Sequence, residues 1–184
     1  MRRPLILHPA FQCPAVTAVT VEVTRHTTNQ LSVYYRLAGD PTALHLPRVT
    51  KPARADGLWK STCFELFLRP AAGPAYYEFN FAPTTEWAAY HFDDYRQGMA
   101  PAIATAPPMI AVRPWEGGFD MEVLVDLKGA SELDPKAPLH LGVSAVIETA
   151  DGATSYWALA HPSGRPDFHH ADGFALDLAP TGRS

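Results

Sequence analysis

The chain has 184 residues, 47% of them hydrophobic and 18% charged, enough apolar side chain for a folded core and too much for general disorder. A net charge of −4, a pI of about 6.0 and no basic run beyond Arg2 and Arg3 exclude the phosphate-neutralising patch of a nucleic-acid-binding protein. At this length the chain reads as one domain, residues 1–184, with no internal repeat or linker.

In chain order, MRRPLILHPAF has a basic start but an apolar run too short for a signal-peptide core or a membrane span, which reads as a cytoplasmic protein without a membrane partner. Cys13 and Cys63 have no CxxC partner, and the intracellular reading favours free thiols over a disulfide. Residues 15–25 (AVTAVTVEVTR) and 31–37 (LSVYYRL) carry the β-branched alternation of a hairpin. Residues 39–57 form a long irregular segment rich in Pro, Arg and Lys, and segments of that length are usually functional or mobile.

That segment delivers the chain to residues 58–92, LWKSTCFELFLRPAAGPAYYEFNFAPTTEWAAYHF, the most informative stretch. Two strand-like runs, residues 62–69 and 75–81, are joined by a Pro and Gly turn. Alternation across a pleat puts Phe64, Leu66 and Leu68 on one face and Cys63, Glu65 and Phe67 on the other. In the second run Tyr77, Phe79 and Phe81 share a face, leaving Glu78 and Asn80 opposite. Glu65, Glu78 and Asn80 therefore make a polar row on the side of a sheet away from the core, with Trp59 at its lip.

Residues 93–108 are a Pro and Ala loop, followed by strands at 109–113 and 119–127 around Trp115-Glu116-Gly117-Gly118. Residues 127–134 have the composition of one short helical turn. Residues 140–148, 154–160 and 174–178 complete a set of about ten strands. Short strands divided by Pro, Gly and Asp turns, with 18 prolines and no helical period, argue for an all-β fold: an antiparallel β-sandwich of jelly-roll or immunoglobulin-like type.

The succession of LWKSTCFELFLRP, YYEFNFAP, WAAYHF, GVSAVIE, SYWALAHPSGRPDFHH and FALDL resembles the DOMON-like group that includes the family 9 carbohydrate-binding modules. The likeness runs in order from Leu58 to the C-terminus. It implies a sandwich that grips a sugar between two tryptophans, with Trp59 as one stacking face, Trp157 as the other, and Glu65 accepting from sugar hydroxyls. Asn80 stands where the family pattern tends to carry an Arg, so that contact is changed here. The resemblance also implies a structural calcium, although no carboxylate cluster in the sequence matches its site.

The side chains agree with a small-molecule carbohydrate partner on their own terms. A sugar presents an apolar ring face and a rim of hydroxyls, so its site needs a flat aromatic surface and a few aimed donors and acceptors. Trp59, Trp157, Tyr77, Glu65 and Asn80 supply that mixture. The competing reading makes both tryptophans packing residues, and one of Tyr156 and Trp157 must face the core.

A second constellation spans residues 161–173, where His161, His169, His170 and Asp172 are weak metal candidates and Arg165 is able to reach a ligand. Without HxH or HxxxH spacing, a loop that bonds its own turns is the simpler account. There is no GxSxG elbow, phosphate loop or HExxH. Glu65 with Glu78 resembles the carboxylate pair of a glycosidase, yet such pairs are more often solvated or bonded to bases, and the chain reads as a non-catalytic binding module. Two alternatives stay open: a haem or redox-cofactor domain using Met99, Met109 or Met121 with a histidine, and a metal-dependent enzyme using residues 161–172.

Overall fold

The computed structural model describes residues 1–102, 106–130, 132–134 and 136–180. These form twelve strands: β1 (Arg3–Leu7), β2 (Val16–Thr27), β3 (Gln30–Gly39), β4 (Cys63–Pro70), β5 (Tyr76–Phe81), β6 (Trp87–Phe92), β7 (Ala100–Pro101), β8 (Met109–Trp115), β9 (Gly118–Asp126), β10 (Leu139–Glu148), β11 (Thr154–Ala158) and β12 (Leu176–Leu178). Each named pairing is antiparallel, in the spatial order β7-β6-β5-β4-β10-β11-β1-β2-β3-β9-β8, with β12 on β10 beyond the end of β11. The expected all-β antiparallel sandwich is the fold.

The path curls into two layers at β1. Its first residues, Arg3 to Leu5, pair with β2, while Ile6 and Leu7 pair with Ala158 and Trp157 of β11. One layer is β1-β2-β3-β9-β8 and the other runs from β7 to β11 and back to β1. Period-two alternation then directs Leu31, Val33, Tyr35 and Leu37 of β3 and Met121 and Val123 of β9 into a core shared with Phe64, Leu66, Leu68, Phe79 and Phe81. Tyr35 meets Phe64 at 4.9 Å between ring centroids and donates its hydroxyl to the Glu65 carbonyl at 3.0 Å, tying the layers together through a fully buried phenol. Fully burying one such aromatic contributes roughly 1.5–3 kcal/mol.

Strand β6 has no alternating pattern in sequence because both of its faces are covered. Trp87 and Ala89 enter the core, whereas Ala88, Tyr90 and Phe92 join a second apolar cluster on the outer side. Residues 39–57 are partly regular: Asp40 caps a 3-10 turn at Pro41–Ala43, and Trp87 bonds Ala53 and Ala55 on either side. Of the expected helical turn at 127–134, residue 131 lies outside the described residues. Its described neighbours form successive tight turns, with Ala130 N–H on Leu127 at 2.9 Å and Leu133 N–H on Ala130 at 3.0 Å. Cys13 and Cys63 are buried free thiols.

Candidate ligand-binding cleft

The outer side of β4, β5, β6 and β10 is not bare. Alternation that sends Phe64, Leu66 and Leu68 inward sends Cys63, Glu65 and Phe67 outward, and the same rule turns Tyr76, Glu78 and Asn80 of β5 to that outer side. Phe67, Tyr76, Ala88, Tyr90, Phe92 and Phe174 pack there, with Leu58 and Phe168 against them. Three segments rise over this layer: the 3-10 turn Leu58–Lys60, the β6–β7 connection, and the long segment between β11 and β12. Between them lies a cleft of about 360 Å³ lined by Trp59, Glu65, Glu78, Phe92, Arg96, Met99, Val146, Tyr156, Pro166, Phe168 and His169.

Trp59 stands at the rim, 37% exposed, edge-on to Tyr90 with ring centroids 5.9 Å apart. Gly57 at φ 78° turns the chain there, a left-handed conformation that glycine adopts without penalty. The approach is pinned by Asp56, which accepts from the Tyr90 hydroxyl at 2.5 Å and pairs with Arg54 at 2.9 Å. Burial and the bond to Asp56 hold the Tyr90 phenol above its ordinary range.

Glu65 and Glu78 form the floor, 3% and 5% exposed. Glu65 is opposite Asn80 in the ladder and Glu78 is opposite Phe67, so the two carboxylates are diagonal neighbours on one face. Asn80 donates to Glu78 at 2.7 Å and the Ser144 hydroxyl donates to Glu65 at 3.2 Å. Burial pushes the Glu65 carboxyl well above the usual carboxylate range and the charge of Glu78 pushes it further, against the Ser144 bond and the field of Arg96. Burial also raises Glu78, opposed by Asn80 and Arg96.

Arg96 is held in the left-handed region at φ 54°, with its N–H on the Tyr76 hydroxyl at 3.2 Å and its guanidinium on Asp167 at 2.8 Å. The Tyr95 hydroxyl also donates to Asp167, so the β6–β7 connection and the β11–β12 segment are latched over the cleft. The Tyr76 hydroxyl accepts from Arg96 and shares a second hydrogen bond with Nδ1 of His169 at 2.8 Å. Burial and the charge of Arg96 push His169 down to about 4, so the ring is neutral at pH 7, with its Nε2 3.7 Å from the Glu78 carboxylate.

Of the residues singled out in sequence, Trp59 and Glu65 line the cleft. Asn80 lies beneath the floor, fully buried, and acts on the cleft through Glu78. Tyr77 and Trp157 do not reach it; both belong to the main core, because Tyr77 shares its face with Phe79 and Phe81 and Trp157 alternates with Tyr156. The indole N–H of Trp157 is satisfied by Ser155 at 3.0 Å, and Tyr156 supplies the aromatic surface in its place. Arg165 is exposed and lines an adjoining pocket with Arg96, Ser163, Pro166, His170 and Asp172.

The four metal candidates are dispersed. His161 bonds the Ile6 carbonyl at 2.8 Å, His169 faces the cleft, and His170 accepts the N–H of Asp172 at 3.2 Å in a local turn. Among the described residues no three His, Cys, Asp or Glu side chains converge as metal ligands would. Of the methionines considered for an axial pair, Met99 shares the cleft with His169, Met121 is in the core, and Met109 is exposed on β8. Tyr156 follows from alternation once Trp157 is assigned inward. Arg96, Phe92 and Phe168 have no local signal, because separate segments bring them together.

No protein-family model and no curated protein matches the chain. Solved structures do. A presumptive carbohydrate-binding protein from Bacteroides uniformis ATCC 8492 superposes with a TM-score of 0.62 at 11% identity, covering 94% of this chain and 83% of that one. A family 9 carbohydrate-binding module from Caldicellulosiruptor kristjanssonii, solved in complex with glucose, superposes with a TM-score of 0.55 at 10% identity, covering 91% and 78%. At these identities the kinship with family 9 modules is one of fold.

Proposed function

We propose that the protein is a non-catalytic module that binds a carbohydrate, or a similar polyhydroxylated small molecule, in the outer-face cleft. The observation that carries this reading is the cleft's composition: an indole at the rim, further aromatic walls, and two buried carboxylates on the floor. Trp59 offers a flat apolar face to one side of a sugar ring, while Glu65 and Glu78 accept from its hydroxyls. Neighbours of the same fold that carry carbohydrate-binding descriptions support the choice of ligand class.

The test is a thermal-shift screen of the purified protein against monosaccharides, disaccharides and sugar phosphates, with and without calcium. A ligand at a hundred times its Kd raises native stability by roughly 2.7 kcal/mol, so weak binders register. A shift that disappears in Trp59→Ala supports the reading; no shift with any sugar overturns it.

The paired carboxylates favour one second reading, glycoside hydrolysis with Glu65 or Glu78 as the acid, since a raised carboxyl is what that role requires. Turnover of nitrophenyl glycosides that is lost in both Glu65→Gln and Glu78→Gln would establish it.

A further inference from the structure

The floor of the cleft holds two carboxyl groups whose ionised forms have less positive charge around them than would neutralise them. Arg96 is the cation whose field reaches both carboxylates, and its guanidinium is committed to Asp167. Among the described residues the other groups that act on the pair are neutral or dipolar: His169, Asn80, Ser144, the Cys63 thiol and the Tyr90 phenol, with the phenol of Tyr76 behind His169. Glu65 takes one hydrogen bond from the Ser144 hydroxyl, and Glu78 takes one from the Asn80 amide. An ionised carboxylate removed from water without a cation is costly, and hydrogen bonds from hydroxyls offset only part of that cost.

The walls above this floor are Trp59, Phe92, Tyr156 and Phe168, whose π faces attract a positive charge, most strongly in a site shielded from water. Aromatic walls over paired carboxylates are the complement of an ammonium group. Resting on the carbohydrate reading above, we propose that the ligand is a cationic amino sugar, its ring against Trp59 and its ammonium group between Glu65 and Glu78. An ammonium donates up to three charge-assisted hydrogen bonds and supplies the charge the floor lacks. A neutral sugar supplies donors but leaves the charge standing.

A proton linkage accompanies this. In the free protein burial favours the protonated forms of the pair, and a bound ammonium favours the ionised form of both carboxyls, so binding is coupled to proton release. Affinity for an amino sugar therefore rises from pH 5.5 to pH 7, and affinity for a neutral sugar does not.

The experiment compares glucosamine, galactosamine and mannosamine with their N-acetyl forms, with glucose, and with choline, by calorimetry on the intact chain at both pH values. The expected result is one amine bound at least tenfold more tightly than its N-acetyl form, the gap closing in Glu65→Gln and in Glu78→Gln. The comparison among ligands is made on the wild type and survives the failure of either variant to fold. Equal binding of an amine and its N-acetyl form overturns the ammonium assignment and leaves the carbohydrate reading in place. Choline bound as tightly as any amino sugar, with glucose silent, overturns the sugar. Silence from every ligand overturns both.

Discussion

Glu65 and Glu78 lie one diagonal step apart on the outer face of the β4–β5 ladder, bridged by Asn80, which stands opposite the first and donates to the second. Both are buried and both are raised, so the folded protein binds protons there that the unfolded chain has already released. Their contribution to stability is fully present below the ordinary carboxylate range and is lost as pH rises through the folded values. Glu65→Gln should therefore be more stable than wild type at pH 8 and lose that advantage by pH 4, as urea melts across that range would record. A variant destabilised equally at both pH values would contradict the assignment.

His169 works in the opposite direction. Its folded value of about 4 lies below the ordinary 6.5, so the stability it contributes is present above 6.5 and lost as pH falls towards 4. His169→Gln should flatten the acid side of the stability curve between those values. Glu65 and Glu78 slope the other way over much of the same interval, so the two effects partly cancel in wild type, and paired variants are needed to separate them.

The two tryptophans of the sequence pattern should behave as different kinds of residue. Trp157 is 6% exposed within the main core, and its truncation to Ala should cost about 3–5 kcal/mol in chemical denaturation. Trp59 at the rim gives up little beyond its edge contact with Tyr90, about 1 kcal/mol, while ligand binding should be abolished. Equal destabilisation by both would place Trp59 in the packing rather than in the site.

Asp167 latches the β11–β12 segment to the β6–β7 connection through Arg96 and Tyr95. Asp167→Asn should cost on the order of 1 kcal/mol of global stability, since the guanidinium is half exposed. Its larger effect should be local, as faster amide hydrogen exchange across residues 161–172 with the core strands unchanged.

The strands that line the cleft were legible because Phe and Leu alternate with Glu and Asn through residues 62–81, and the structure keeps that register. The same alternation placed Tyr77 beside Phe79 and Phe81, which is the reason it packs in the core and does not line the cleft. Strands covered on both faces, β6 above all, leave no period to read. The cleft's roof was illegible for another reason. Phe168 and His169 reach the cleft only after the chain has wound through both layers, and no spacing in the sequence anticipates Asp167 on Arg96, 71 residues apart, or His169 on Tyr76, 93 residues apart.

Strand β1 joins the two layers by pairing Ile6 and Leu7 with Ala158 and Trp157. Those partners lie about 150 residues further along the chain, and a ribosome adding about 5–20 residues per second needs roughly 8–30 s to make them. Throughout that interval β1 is paired with β2 through Arg3 to Leu5 while its Ile6 and Leu7 have no partner strand, an open edge of the kind that invites pairing with another nascent chain. The hazard in producing this protein thus lies in its synthesis: yield should respond to temperature and chaperone supply, and a fusion that encumbers the first seven residues should lower the soluble fraction more than one at the other end.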